Sequence, residues 1–216
     1  INNVLFHVMS RPLLEYCSSE HRNPTELKSW IEKVVAKDAS LPKNTWFVWK
    51  AGPYSGASSS MLFDACMCCL WLAQEDMQQG DASEGRAAYK LYSDACSKYR
   101  CALEKLKSGL TIHSAYSLPH FCEHDIYGNM CLARARAYDR MYDVAIKSKV
   151  SNHVLVKLCN NGAHLYQVAN QMMVGGTPQL HECANRMAAN MYMAMGNHYM
   201  QMHKSSDGSL GYAGTA

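Results

Sequence analysis

No stretch of this sequence stays apolar long enough to cross a bilayer, which excludes a membrane-spanning helix. The first residues, INNVLFHVMSRP, lack a basic flank followed by a sustained apolar block, so they do not read as a secretory signal. Also missing is an excess of either charge. The net charge of +3 is too balanced to argue for nucleic-acid binding. Charged residues are themselves scarce, at 18% against a usual ~25%, and that deficit points to surface covered by a partner. Cys66 and Cys69 are spaced as a single CxxC, but inside an apolar helical run with no second such pair, and there is no strained nucleophile turn. The glycine-containing turns GASSSM and GGTP lack the Lys that a phosphate loop needs. Carboxylates rarely pair. Catalysis is left without a site, so the expectation is a protein that is not an enzyme and carries no cofactor.

What is abundant is cysteine, with ten residues, and methionine, with fourteen. Cys66, Cys68, Cys69, Cys96, Cys131 and Cys159 sit in apolar helical stretches, where Cys acts as a small buried hydrophobe. With no export signal, reduced thiols and a cytoplasmic location are expected. The densest ligand-like run is HFCEH, with His120, Cys122 and His124 within five residues. A closed zinc site needs a fourth ligand, and in the CMCC run Cys66 and Cys69 share a helix side while Cys68 points away from them. No metal is assigned.

Helical punctuation recurs along the chain. Asn23, Pro24 and Glu26 open one helix with a capping box. Trp46 to Trp49 is aromatic and β-branched between turn residues, which predicts a small β element near residues 44–54. Helices are then predicted from Ser59 to about Gln79, with Gly80 as the stop, and from Asp81 to Gly109. Three more follow, from Cys122 to Ser148, from Ser151 to Met173, and from Thr177 to about Lys204. The stripe Ala88, Tyr92, Ala95, Tyr99, Ala102 and Leu106 alternates small and large residues. This describes an all-α fold, an array of antiparallel helices with tetratricopeptide-like packing. No clean repeat of tetratricopeptide length is visible, so a regular solenoid is not supported.

Three segments, in this order, resemble the BRO-one domain family, the Alix, Brox and rhophilin type. The first is residues 47–107, beginning FVWKAGPYSG, which is similar to the family's extended arm and the helices after it. The second is residues 131–170, CLARARAYDRMYDVAIKSKVSNHVLVKLCNNGAHLYQVAN, similar to its LAQAQE helix and the helix that follows. The third begins AANMYMAMGNHYM at Ala188 and resembles the helix near the far arm of the domain. The chain departs from the family at Ala51, Arg134, Arg136 and Tyr138. The resemblance implies one BRO-one-like domain over residues 1–216, curved, with the family's last helices missing. It also implies a non-catalytic adaptor that binds the amphipathic C-terminal helix of an ESCRT-III subunit and is recruited peripherally to endosomal membranes.

By that resemblance the partner-helix groove falls on Met141, Val154 and Leu158, with a basic contact at Arg86. The spacing agrees in one respect. Ala135, Tyr138, Tyr142 and Ala145 form one core stripe, and Leu155, Cys159, Gly162, Tyr166 and Ala169 another. Met141, Val154 and Leu158 lie off these stripes. Arg136 and Arg140 share a helix face, with Asp139 and Asp143 at hand as partners. Together with Lys147 and Lys149 they form a candidate basic patch for phosphate or acidic membrane. The alternative to an adaptor is a structural subunit of a larger assembly that uses the same fold without ESCRT-III binding.

Overall fold

The computed structural model describes residues 47–51, 54–58, 61–107, 122–173 and 176–205. The helix expected from Asn23, the loop that holds His120 and the chain after Ser205 lie outside the described residues. Among them are five helices: α1 (Met61–Asp81), α2 (Gly85–Lys107), α3 (Glu123–Lys147), α4 (Asn152–Met172) and α5 (Pro178–Ser205). Ahead of these, the backbone of β1 (Phe47–Ala51) pairs antiparallel with β2 (Tyr54–Ser58), Trp49 lying opposite Gly56.

Two helix ends differ from the punctuation in the sequence. Gly80 does not stop α1, which runs through Asp81. The reason is packing. Gly80 is buried, and a Cβ there would stand 2.6 Å from the Tyr92 ring, so the residue is small because a tyrosine lies on it. The turn closes by Ser83 N–H donating to the Gly80 carbonyl at 3.2 Å, and α2 begins at Gly85 with φ of +57°. Ser151 does precede α4 with extended backbone, but its hydroxyl makes no capping bond. Its carbonyl accepts from the Val154 and Leu155 amides instead.

Contacts divide the chain into two compact units, residues 1–78 with 94–130 and residues 79–93 with 131–216. In the first unit α1 and α2 run antiparallel. Cys66 Sγ donates to the Ala102 carbonyl at 3.5 Å, and further along Lys98 reaches Asp76. Small residues on both helices, Ala65, Ala73, Ala95 and Ala102, are fully buried and let larger ones interlock. Phe63, Met67, Leu70, Leu72 and Tyr99 are buried in the same unit, on more than one side of α1. Burial of each large apolar side chain contributes roughly 1.5–3 kcal/mol.

In the second unit α4 and α5 also pack antiparallel, from Gly162 against Met187 to Asn152 against Gln201. The alternation of small and large continues: Ala135, Ala145, Gly162 and Ala169 are buried beside Tyr142, Tyr166 and Met187. Of the expected stripes, Leu106, Tyr138 and Leu155 are half-buried, Leu155 because it lines an open cleft.

Candidate functional site

The turn between α3 and α4 builds one side of an apolar-floored cleft. Helix α3 ends as its 6→1 and 5→2 bonds close: Val150 N–H donates to the Ala145 carbonyl at 3.1 Å, Lys149 N–H to Ile146 at 3.0 Å. Lys149 takes the left-handed conformation, φ 53°, that this ending requires. The reversal leaves Ile146, 48% exposed, beside Leu155 at the start of α4. Buried Tyr142 lies one turn before Ile146 on α3, and α5 contributes Met193, 59% exposed. The cleft is open to solvent and has a volume of about 490 Å³. Lys149, Asn152, Asn197 and Gln201 form its polar rim, and Asn152 Nδ2 donates to Gln201 Oε1 at 3.0 Å across it.

A second cleft of about 350 Å³, also within residues 79–93 and 131–216, is polar. Three arginines and three aspartates line it, and each arginine has an acidic partner. Arg136 donates to Asp81 at 2.5 Å and lies over the Tyr92 ring, its guanidinium carbon 5.9 Å from the centroid. Tyr92 donates its hydroxyl proton to the same Asp81 at 2.8 Å. Arg186 pairs with Asp139, which also accepts from the Tyr166 hydroxyl at 3.3 Å. Arg140 is 3.8 Å from Asp143 on its own helix. Burial raises the Asp139 carboxyl above its usual range in spite of Arg186. Burial likewise raises the Tyr92 and Tyr166 phenols, with the adjacent aspartates adding to it. The result is a neutral brace that holds helices together. It leaves no concentrated positive field for a free anion.

The sequence-predicted groove residues are dispersed over these surfaces. Met141 and Leu158 are half-buried, while Val154, 42% exposed, and Arg86 face solvent. None of the four is among the residues lining either cleft. Tyr142 and Cys159, expected in the core, are buried there. The candidate basic patch is not gathered in one place. Arg136 and Arg140 line the polar cleft, Lys149 sits on the rim of the apolar one, and Lys147 is exposed. The last helix's methionines, Met193 among them, read in sequence as core more than as interface, and nothing marks Ile146, because their meeting depends on neighbours distant along the chain. The methionines of α5 divide as their spread over several faces requires. Met187 is buried, Met193 and Met200 are exposed, and Met191, Met195 and Met202 lie between.

Cys122 has a structural task. Its Sγ accepts the Asp125 amide at 3.4 Å at the start of α3, while His124 is exposed. Among the described residues, no group of three His, Cys, Asp or Glu is placed to hold a metal ion. Eight cysteines there are free, but Cys68 is disulfide-bonded, a departure from the expectation of uniformly reduced thiols. Nor is any described helix long and apolar enough to cross a membrane. No protein-family model, curated protein or solved structure matches this chain.

Proposed function

We propose that this chain is a non-catalytic helical scaffold of the BRO-one type, receiving the amphipathic C-terminal helix of an ESCRT-III-type partner. The observation that carries the reading is the apolar surface left at one end of α3, α4 and α5. Ile146 and Met193 are exposed at the cleft floored by Tyr142 and Leu155, and Val154, next to Leu155 in the first turn of α4, is exposed outside it. An amphipathic helix presents apolar anchors at i, i+3, i+4 and i+7, which suits several separate apolar positions. Met141 and Leu158, half-buried, would complete the contact, and exposed Arg86 would meet an acidic residue of the partner. The order of the three sequence segments supports the family half of the reading. With it come the curved tetratricopeptide-like array with its small β element, and cytoplasmic recruitment to endosomal membranes. Exposed Lys147 and Lys149 would make the peripheral contact with acidic lipid.

Each anchor contributes roughly 1.5–3 kcal/mol when fully buried. A few such anchors, less the cost of ordering the peptide, give an affinity on the order of micromolar. The test is titration of labelled ESCRT-III C-terminal peptides, followed by fluorescence anisotropy, into wild type, Leu158→Asp, Val154→Asp and Met193→Asp. Saturable binding that weakens at least tenfold in the variants supports the reading. Absence of binding to every peptide, or equal binding by all four proteins, removes it.

A second reading is a structural subunit of a larger assembly, favoured by the exposure of Tyr192, Met193 and Met200 along α5. Light scattering coupled to size exclusion separates the two. A stable monomer at micromolar concentration argues against a permanently covered α5.

A further inference from the structure

The buried centre of the α1–α2 hairpin holds a pair of thiols from different helices. Two independent contacts fix the register. Cys66 Sγ reaches the Ala102 carbonyl, and Asp76 reaches Lys98. On α1 Cys69 lies between Cys66 and Asp76, and on α2 Cys101 lies between Lys98 and Ala102. The antiparallel register therefore brings the two cysteines opposite one another, and Cys101 is the largest influence on the Cys69 thiol, raising it. Fully buried alanines on both helices keep the backbones close, as a bridge between two helices requires. The two sulfurs differ in access: Cys69 is fully buried and Cys101 half-buried.

We propose that Cys69 and Cys101 are an oxidisable pair, closing to a disulfide that ties α1 to α2 when the protein meets a hydroperoxide. Cys101, the one open to solvent, reacts first. Its thiolate attacks a peroxide oxygen, the O–O bond breaks, and Cys101 becomes a sulfenic acid as water or an alcohol leaves. The Cys69 sulfur then attacks that sulfur and gives up its proton, and the sulfenic hydroxyl departs as water. Two thiols are oxidised by two electrons, and one peroxide is reduced. Lys105 stands one turn beyond Cys101 and acts on the Cys69 thiol, favouring the thiolate that the second step needs. The neighbouring Cys101 thiol, and after it burial, work the other way and outweigh Lys105, which keeps Cys69 protonated until its partner is oxidised.

The test uses the full chain under native conditions. It is treated with a small excess of hydrogen peroxide, its remaining thiols are alkylated, and tryptic peptides are mapped without reductant. The expected result is the Cys101–Lys105 peptide newly joined to the Ala51–Arg86 peptide, which already carries the Cys68 bridge without peroxide, with fragmentation placing the new link at Cys69. A dithiol reductant should reverse it, and Cys101→Ser should abolish it. Recovery of Cys101 as sulfinic acid or in alkylated form overturns the proposal, as does a link to Cys66. The wild-type map decides the matter even if Cys101→Ser fails to fold.

Discussion

Lys98 and Asp76 form an ion pair inside the α1–α2 hairpin, with side chains 1% and 5% exposed. Two charges taken out of water recover much of the cost through each other, so removing Lys98 takes a buried counter-charge away from Asp76. Lys98→Met should lower stability by about 3–5 kcal/mol. Adding Asp76→Leu to that variant should restore most of the loss, since an apolar pair no longer needs a counter-charge. Urea denaturation of the wild type, the single variant and the double variant measures this. A double variant no better than the single one would show that packing, rather than stranded charge, sets the cost.

Gly80 and Gly162 are both buried helical glycines whose added Cβ would meet a neighbour, and they should behave differently. At Gly80 the neighbour is the Tyr92 ring at 2.6 Å, pinned by its hydroxyl bond to Asp81. Gly80→Ala should therefore destabilise by about 1–3 kcal/mol. At Gly162 the close atom is Met187 Cε at 2.5 Å, the free end of a flexible chain. Alanine also gains about 0.8–1.0 kcal/mol over glycine inside a helix, so Gly162→Ala should fall within ~1 kcal/mol of wild type. Thermal unfolding of the two variants side by side is sufficient to decide it.

The helical periodicity made much of this architecture legible in advance, since Ala88, Tyr92, Ala95, Tyr99 and Ala102 are all buried as their spacing requires. Local charge partners were legible too, as with Arg140 and Asp143 three residues apart. What stayed hidden depends on contacts between distant parts of the chain. Nothing near Arg136 in sequence points to Asp81, and nothing near Gly80 announces the Tyr92 ring. The apolar cleft is of the same kind, because Ile146 and Met193 meet only after two helix reversals.

Lys149 takes the left-handed conformation in the turn that ends α3, without being glycine. A side chain there costs roughly 1–2 kcal/mol. Lys149→Gly relieves that strain but gives the unfolded chain more freedom, which returns about 0.4–1 kcal/mol. The variant should therefore be up to about 1 kcal/mol more stable than wild type, whereas Lys149→Val should be less stable. Denaturation midpoints in urea report both signs. If the glycine variant is the less stable, the Lys149 side chain makes contacts on the cleft rim that outweigh its backbone strain.

Asp139 is held above the ordinary aspartate value of 3.8, burial being the largest cause, with Asp143 acting in the same direction and Arg186 against it. The folded protein thus holds a proton on this carboxyl more tightly than the unfolded chain does. Below 3.8 both states are protonated, and the group's contribution to stability is fully present. As pH rises through the raised value, the folded state must ionise at a cost, and that contribution is lost. Asp139→Asn cannot ionise. The stability difference between the two proteins should therefore move against the wild type as pH climbs above 3.8, then level off. Urea midpoints for both, taken from about pH 3 to about pH 7, isolate this carboxyl from the others that titrate nearby. A difference that moves toward the wild type would mean that the Arg186 and Tyr166 contacts outweigh burial.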